Sequence, residues 1–150
     1  MAEPLKLIQR NRRASFDFDL LDRYEAGIVL RGTEVKSLRE GKVSLKEAYA
    51  RVRDDEVWLL NLDILPYRNA GHTNHEPKRP RKLLLNRHEI RRIKSKVTER
   101  GLTLVPTQIY FKAGRAKVEV AVAKGRPKGD KRGVIRDLEE AKRLRRRTLR

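Results

Sequence analysis

The alternation of apolar and polar positions along the chain predicts a body built mainly of β-strands. Val118, Val120 and Val122 alternate with charged residues between positions 116 and 123, a period of two that is typical of a half-buried strand. Four further segments are rich in residues that favour strands, at 25–30, 48–53, 57–65 and 102–111. We therefore predict five strands.

Two helices are predicted between these strands. The first covers residues 34–40, with Thr33 as its N-cap and Gly41 at its C-terminal end. The second runs from the cap residue Asn86 to Gly101 and carries apolar residues at helical spacing on one face. Both helices therefore have start and stop signals in the sequence.

The order of these elements favours one architecture. Residues 66–82 contain three prolines and no periodicity, so they are expected to form a long loop. The order strand, helix, strand, strand, long helix, strand, strand is that of an OB-type β-barrel, closed or partly open, a design that commonly binds oligonucleotides. We predict this mostly β fold with helices, and an SH3-like or split barrel is the alternative.

Charge divides the chain into two parts. It has 38 Lys and Arg against 20 Asp and Glu, and twelve of these cations but only four of the acids lie in residues 124–150. We therefore predict an RNA-binding body over residues 1–123 and a basic C-terminal tail over residues 124–150. Few apolar residues could dock a tail helix, so the tail is expected to be disordered when free and helical when bound.

The charge also indicates the class of partner. Without the tail, 26 cations remain against 16 acids, and a body of about +10 favours a polyanionic partner. Nucleic acid is the first expectation and an anionic membrane surface the second. No apolar run approaches the ~20 residues needed to cross a bilayer, and the absence of cysteine suits a reducing compartment. We expect a soluble cytoplasmic protein.

Catalytic chemistry finds no support in the sequence. His72, His75 and His88 lack the spacing of a zinc site. No P-loop, glycine-rich dinucleotide turn or nucleophile elbow is present either. We therefore predict a protein that is not an enzyme and that uses no cofactor or metal.

Basic residues outside the tail form three clusters, near the start of the chain, in the long loop and on the polar face of the second helix. They comprise Arg10, Arg12, Arg13, Lys78, Arg79, Arg81, Lys82 and the cations of residues 91–100. Clustered cations in loops and termini neutralise phosphates. Phe16, Phe18 and Tyr24 either stack on unpaired bases or belong to the core, and the sequence leaves both interpretations open.

Several blocks of the sequence resemble one known family. They are NRRA at 11–14, YEAGIVLRGTEVKSLREGK at 24–42, HEPKRPRKLLL at 75–85, GLTLVP at 101–106, KVEVAVAKG at 117–125 and DKR at 130–132. Their content and order are similar to those of SmpB, the SsrA-binding protein family of bacterial trans-translation. The resemblance extends from about residue 11 to residue 132.

This resemblance implies a specific function. The body would bind the tRNA-like domain of tmRNA and deliver it to a stalled ribosome. The tail would probe the empty mRNA channel at the decoding region of the small subunit. Elongation factor Tu and alanyl-tRNA synthetase would be further partners, met through tmRNA. The main alternative is another OB-fold ribosomal protein or translation factor that binds RNA.

The resemblance and the basic clusters together give the candidate site residues. Those expected to bind RNA are Asn11, Arg12, Arg13, Glu25, Lys36, Arg79, Arg81, Lys82 and Leu84. Those expected to act in the decoding region are Asp130, Lys131, Arg132, Arg143, Arg145 and Arg146. As an acid among bases, Glu25 is expected to accept hydrogen bonds from base amino groups or to orient an arginine.

Overall fold

A computed structural model of the chain describes residues 5–68, 70–71 and 74–125. Within these residues three helices and nine strands form, so the prediction of a mostly β fold with helices is confirmed. In chain order the elements are β1 (Leu5–Arg10), α1 (Arg12–Asp17), β2 (Phe18–Ile28), α2 (Gly32–Arg39), β3 (Val43–Ser44), β4 (Tyr49–Arg53), β5 (Glu56–Leu60), β6 (Asp63–Ile64), β7 (Arg81–Leu84), α3 (Arg87–Arg100), β8 (Thr103–Lys112) and β9 (Arg115–Gly125).

The longer strands form an antiparallel sheet that closes on itself. Its order is β1-β8-β4-β5-β7-β2-β9, and β8 also pairs with β9, so six strands form a ring and β1 lies outside it on β8. The closure is uneven. β8 and β9 pair over most of their length, whereas in the described part of the chain β4 meets β8 at the single pair Ala50–Leu104.

The alternating valine side chains of β9 fill the interior of this barrel. Val118, Val120 and Val122 are fully buried in one core cluster with apolar residues of the other strands. The opposite face of β9 is covered as well, because Ala123 packs with Ala14 of α1 in a second, smaller cluster. β9 is therefore a central strand buried on both faces, and α1 is fixed against its outer side.

The boundaries of α3 agree with the sequence signals. The helix begins after Asn86, whose backbone N–H donates to Oε1 of Glu89 at 3.2 Å. It ends at Gly101, which has a φ of 64°. A left-handed residue commonly terminates a helix, and glycine adopts this conformation without the steric cost that a Cβ atom would bring.

The helix α2 starts earlier than the sequence signals predict. Its N-cap is Arg31, so Thr33, the predicted cap, lies within the first turn. The backbone N–H of Arg31 donates to Oε1 of Glu34 at 2.7 Å. Glu34 therefore satisfies the N–H group of the N-cap residue, and the prediction of Thr33 as the N-cap is wrong.

The sequence underestimates the number of strands. β7 begins within the segment predicted as a loop and pairs with β2 and β5. The edge strand β1 and the two-residue strand β3 are also absent from the prediction, and the single strand predicted at 57–65 is divided into β5 and β6. The last strand extends beyond the predicted end of the body, since Gly125 pairs with Phe18. These strands depend on pairing with distant segments, which a local pattern does not reveal.

Candidate nucleic-acid interface

Many cations in the described residues are already paired with acids. The pairs are Arg13–Asp17, Arg23–Glu119, Lys42–Glu40, Arg79–Glu34, Arg81–Glu34, Lys82–Glu56, Lys94–Asp55, Lys96–Asp22 and Lys112–Glu25. Other cations have no ion pair among the residues that the structure describes, including Arg10, Arg12, Lys46, Arg51, Arg53, Arg91 and Arg92. A phosphate group binds the second set without displacing an internal partner, so these cations are the better candidates for RNA contacts.

Three of the unpaired cations surround one cleft. Arg10, Arg12 and Lys46 line it together with Arg13 and Ser44. The cleft lies where the end of β1 and the start of α1 face the segment that follows β3. No acidic residue in the described part of the chain lines it, so it has the charge and the hydroxyl donor that suit a phosphate group.

The side chain of Gln9 joins the two walls of this cleft. Its Nε2 donates to the carbonyl oxygen of Val43 at 2.8 Å, and its Oε1 accepts from the backbone N–H of Leu45 at 2.6 Å. The amide thus makes the two hydrogen bonds that a paired strand residue would make. It holds the segment carrying Ser44 and Lys46 next to β1.

Asn11 anchors the start of α1 instead of pointing into solvent. Its backbone N–H donates to the carbonyl oxygen of Thr107 at 2.7 Å, and its Nδ2 donates to that of Pro106 at 2.9 Å. Arg12 and Arg13, the next two residues, are exposed. Asn11 is therefore placed to position the two arginines of the predicted site.

Glu25 is held by two neighbours on β8. Its Oε2 accepts a hydrogen bond from the hydroxyl of Tyr110 at 2.5 Å, and Nζ of Lys112 lies 3.3 Å from Oε1. The Tyr110 hydrogen bond, followed by Lys112, lowers the pKa of Glu25 below its ordinary value. Burial and the same hydrogen bond raise the pKa of Tyr110. Of the two roles expected for Glu25, hydrogen bonding to base amino groups stays a prediction, and the side chains that it contacts are a tyrosine and a lysine where an arginine was expected.

Sequence reasoning missed Tyr110 and Lys112, although a signal for them exists. Tyr110 lies in the strand predicted at 102–111 and Lys112 directly follows it, and strand residues two apart lie on one face. The neighbouring acid, Glu119, is held in the same way, since its Oε2 accepts from the hydroxyl of Thr107 at 2.9 Å and from Nε2 of Gln108 at 2.6 Å. The outer face of β2, β8 and β9 is thus an ordered polar surface.

Lys36 and Leu84 are both exposed. Nζ of Lys36 lies 5.4 Å from the centre of the Tyr67 ring, a cation–π distance. Leu84 is 52% exposed and lies over Gly27, where an added Cβ atom would approach the Cβ atom of Leu84 to 3.3 Å. Gly27 therefore allows the close approach of Leu84 to β2, on the strand that also carries Glu25.

A buried ionic network corrects the expectation for two of the predicted RNA-binding arginines. Arg81 is fully buried; its Nε donates to Oε2 of Glu34 at 2.5 Å and a terminal nitrogen donates to the carbonyl oxygen of Leu62 at 2.6 Å. Arg79 binds the other oxygen of Glu34 at 2.5 Å. Both guanidinium groups are engaged within the protein, so Arg81 does not reach a ligand outside it and Arg79 would have to release Glu34 first.

The same network fixes the charge of its acid. Burial alone would raise the pKa of Glu34, but hydrogen bonds from Arg79, the backbone N–H of Arg31 and Arg81 outweigh it, and the pKa is lowered. Lys82, the third predicted cation of this region, points outwards and pairs with Glu56 at 2.9 Å. The basic loop is therefore partly a structural clamp on α2.

His75 completes this clamp. The ring is buried, with Nε2 at 2.8 Å from the carbonyl oxygen of Ile64 and Nδ1 at 2.9 Å from the hydroxyl of Thr33. A carbonyl oxygen only accepts, so Nε2 donates to it, and in the neutral ring Nδ1 accepts from the hydroxyl of Thr33. His88 is exposed, and His72 lies outside the described residues. Among the described residues there is no cluster of three or more side chains able to hold a metal ion.

The structure distributes the predicted site residues over separate surfaces. Asn11, Arg12 and Arg13 belong to the cleft beside α1, Glu25 and Leu84 to the outer face of β2 and β7, and Lys36 to α2. The predicted decoding-region residues lie outside the described residues; they are Asp130, Lys131, Arg132, Arg143, Arg145 and Arg146. The cleft, the Glu25 surface and the exposed Lys36 of α2 therefore remain as candidate RNA contacts of the body.

The aromatic side chains near the start of the chain favour the core interpretation. Tyr24 is buried in the main core cluster, although its hydroxyl accepts from Lys96 at 3.3 Å. Phe18 packs against the small cluster that contains Ala14. Phe16 is half-buried. None of these three rings lies fully open to a nucleobase.

The fold and the charged surface together are those of a small barrel protein that binds a polyanion. A small antiparallel barrel carries unpaired cations on its exterior, a combination suited to a polyanionic ligand such as a nucleic acid. In the part of the chain that the structure describes, no helix has the length and apolar character required to span a membrane.

Comparison with known proteins gives the family. Residues 8–150 match the SmpB protein family. An SsrA-binding protein of Syntrophobacter fumaroxidans is 54% identical over 143 residues, which cover 95% of this chain and 89% of that relative. One from Desulforudis audaxviator is 53% identical over 133 residues, covering 89% of this chain and 87% of that relative. The chain therefore belongs to the SmpB family of SsrA-binding proteins.

A solved structure agrees with this membership. A chain from "tmRNA-SmpB: a journey to the center of the bacterial ribosome" superimposes with a TM-score of 0.68 and is 48% identical in sequence. The match covers 85% of this chain and 94% of that chain. At this level of identity, the likeness concerns both the fold and the family.

Proposed function

We propose that this protein binds the tRNA-like domain of tmRNA and delivers it to stalled ribosomes for trans-translation. The observation that carries the proposal is the 48% identity, at a TM-score of 0.68, to a solved chain described with tmRNA on the bacterial ribosome. Membership of the SsrA-binding proteins supports it. The uneven six-stranded ring supports an OB-type, partly open barrel as the RNA-binding body.

The body would grip RNA mainly through phosphates. The cleft of Arg10, Arg12, Arg13 and Lys46 supplies cations, and Asn11 orients two of them. Base edges in A-form helices are poorly accessible, so a folded RNA is recognised largely by its shape and backbone. The ordered carboxylate of Glu25 would add a hydrogen-bond acceptor, which suits a base amino group and disfavours a phosphate.

The basic tail would act at the second partner, the ribosome. An arginine-rich helix could occupy a channel lined with RNA only when message is absent, so occupancy would report a stalled ribosome. We place the start of this tail after the last strand, near residue 126, and propose that it is disordered when free and becomes helical when bound. Asp130, Lys131, Arg132, Arg143, Arg145 and Arg146 would act there.

In this role the chain makes and breaks no covalent bond. Binding and positioning suffice, and elongation factor Tu and alanyl-tRNA synthetase would be met through tmRNA and not through this chain. Such a protein would work in the cytoplasm, where ribosomes stall.

The experiment that tests the RNA partner is recovery of RNA on the tagged full chain from a bacterial lysate, followed by sequencing. Dominant recovery of tmRNA is expected. Recovery of ribosomal RNA without tmRNA would instead support a constitutive OB-fold ribosomal protein and would contradict the proposal.

Removal of residues 126–150 tests the division of labour. The truncated chain should keep most of its affinity for isolated tmRNA but lose tagging on stalled ribosomes, because the body binds RNA and the tail acts in the channel. A large loss of affinity for isolated tmRNA would contradict this division.

A further inference from the structure

The outer face of β4, β5 and β7 has a composition that the proposed function does not use. Strand register places Arg51 beside Trp58, and Trp58 beside Lys82, in one row across three strands. The alternate residues Val57 and Leu83 are fully buried inside the barrel. Because side chains alternate across a strand, Arg51, Trp58 and Lys82 lie on the outer surface.

A second aromatic ring lies on the same surface. Tyr49 is two residues before Arg51 on β4, pairs with Leu60 of β5 and is 39% exposed. Trp58, which is half-buried, is its diagonal neighbour, and such positions are about 7 to 8 Å apart. Neither ring belongs to a core cluster. Two aromatic side chains therefore lie at diagonal positions on the outer surface of this sheet.

The charge of this surface remains available to a ligand. Arg51 and Arg53 have no ion pair among the described residues. Of the three acids at the adjoining turn, Asp55 pairs with Lys94 at 2.5 Å and Glu56 with Lys82 at 2.9 Å, whereas Asp54 has no ion pair among the described residues and borders the same groove. The two arginines border the groove that also exposes Trp58.

We propose that this face binds a short unpaired stretch of RNA, with bases on Trp58 and Tyr49 and phosphates on Arg51 and Arg53. Base stacking on aromatic rings together with neighbouring cations is how single strands are held without sequence preference. A rigid barrel surface suits this task. The proposal goes beyond the proposed function, because it assigns a site to residues outside the candidate set.

Charge complementarity favours RNA over a protein partner on this face. The cores of protein interfaces are depleted of charged residues. Here the aromatic rings are separate and each is flanked by a cation, as in the row Arg51–Trp58–Lys82. Alternating apolar rings and cations match alternating bases and phosphates.

The test uses the single tryptophan of the chain, because Trp58 is then its only indole fluorophore. Tryptophan emission of the full chain is titrated with a ten-nucleotide single-stranded oligouridine, with a duplex RNA of equal length and with polyglutamate. Saturable quenching by the single strand, tighter than by the duplex, is expected. No quenching by the single strand would overturn the proposal, as would quenching by polyglutamate alone, which would assign the face to an acidic peptide.

Variants that keep Trp58 locate the site. Tyr49→Leu and Arg51→Glu should each weaken the quenching constant by about tenfold, the factor given by about 1.4 kcal/mol of lost stacking or phosphate contact. Arg51→Gln should weaken the quenching constant less than Arg51→Glu does. It replaces Arg51→Glu in the test if the charge reversal disturbs folding. The control is Arg39→Glu, the same charge change on an exposed arginine of α2 that has no ion pair among the described residues. An equal loss in the control would mean that net charge alone drives binding and would overturn the proposal.

Failure here and failure of the proposed function give different results. Selective recovery of tmRNA without quenching of Trp58 by any single strand would leave the proposed function in place and reject this face. Quenching by single strands without preference for tmRNA would support the face and contradict the proposed function.

Discussion

Glu34 is the residue on which the clamp between α2 and the long loop depends. Both of its oxygens bind guanidinium groups, and the side chains of Glu34 and Arg81 are fully buried. We expect Glu34→Gln to lower the free energy of unfolding by about 3 kcal/mol, because Arg81 would keep a buried charge without its counter-ion. Urea denaturation measures this, with the exposed Glu99→Gln as control, for which a change within about 0.5 kcal/mol is expected. Equal effects of the two substitutions would contradict the clamp.

The lowered pKa of Glu34 predicts that the stability of the protein depends on pH. The folded-state pKa of Glu34 is lower than its ordinary value of 4.5. Its contribution to stability is therefore complete above that ordinary value and is lost as the pH falls through the folded-state pKa. The stability difference between wild type and Glu34→Gln should shrink as the pH is lowered in this range. A difference that grew on acidification would have the wrong sign.

Substitution of Tyr110 tests how the Glu25 carboxylate is held in place. In Tyr110→Phe the carboxylate loses its hydroxyl donor, so the pKa of Glu25 should rise towards its ordinary value. Carbon-detected NMR titration of the Glu25 carboxyl measures the change. Tyr49→Phe, which removes a hydroxyl from a distant part of the sheet, should leave it unaltered. An unchanged Glu25 titration in Tyr110→Phe would show that Tyr110 does not position the acid.

Single residues also show why the site was only partly predictable. Arg12 and Arg13 were predicted to bind RNA from a basic motif, and both are exposed, so they stay candidates. The burial of Arg81 could not be predicted, because it follows from a counter-ion 47 positions away. Trp58 and Tyr49 are dispersed in the sequence and come together only through strand register. Residue type gives the chemistry of a side chain, but its neighbours across the sheet decide whether it faces solvent.

At the scale of elements, the end of α3 provides a test with a matched control. Gly101 has a positive φ and Gly32, at the start of α2, does not; an added Cβ atom would meet nothing within 4 Å at either position. Gly101→Ala should therefore cost about 1 kcal/mol through backbone strain alone. Gly32→Ala should be neutral or slightly stabilising, because it restricts the unfolded chain. Thermal unfolding of both variants measures the difference. A reversed order would contradict the assigned helix end.

One explanation covers both the correct prediction of α3 and the failure to predict β7. The start and end of α3 are encoded within a few residues, at Asn86 and Gly101, and were predicted correctly. β7 has two prolines just before it and charged residues at its start, so its local pattern is that of a loop. It becomes a strand because β2 and β5 offer free edges on either side. Helices whose ends are set by local signals can be predicted from the sequence. Strands that form only by pairing with distant segments cannot be predicted without knowledge of the fold.

At the scale of the whole molecule, the account rests on the difference between paired and unpaired cations. The large positive charge of the chain overstates what is available to RNA, because carboxylates of the body itself pair with many of its basic residues. Arg12 has no ion pair in the described residues, whereas Lys94 binds Asp55 at 2.5 Å. Removing the first should therefore weaken RNA binding more than removing the second.

The most direct test is the salt dependence of binding between the full chain and the tRNA-like domain of tmRNA. If about seven phosphates are engaged, the slope of log K against log salt should be on the order of −5. Arg12→Gln should make it less steep by about 0.7, while Lys94→Gln should leave it unchanged. A flat slope, or equal changes in the two variants, would contradict the claim that unpaired cations on the barrel bind RNA.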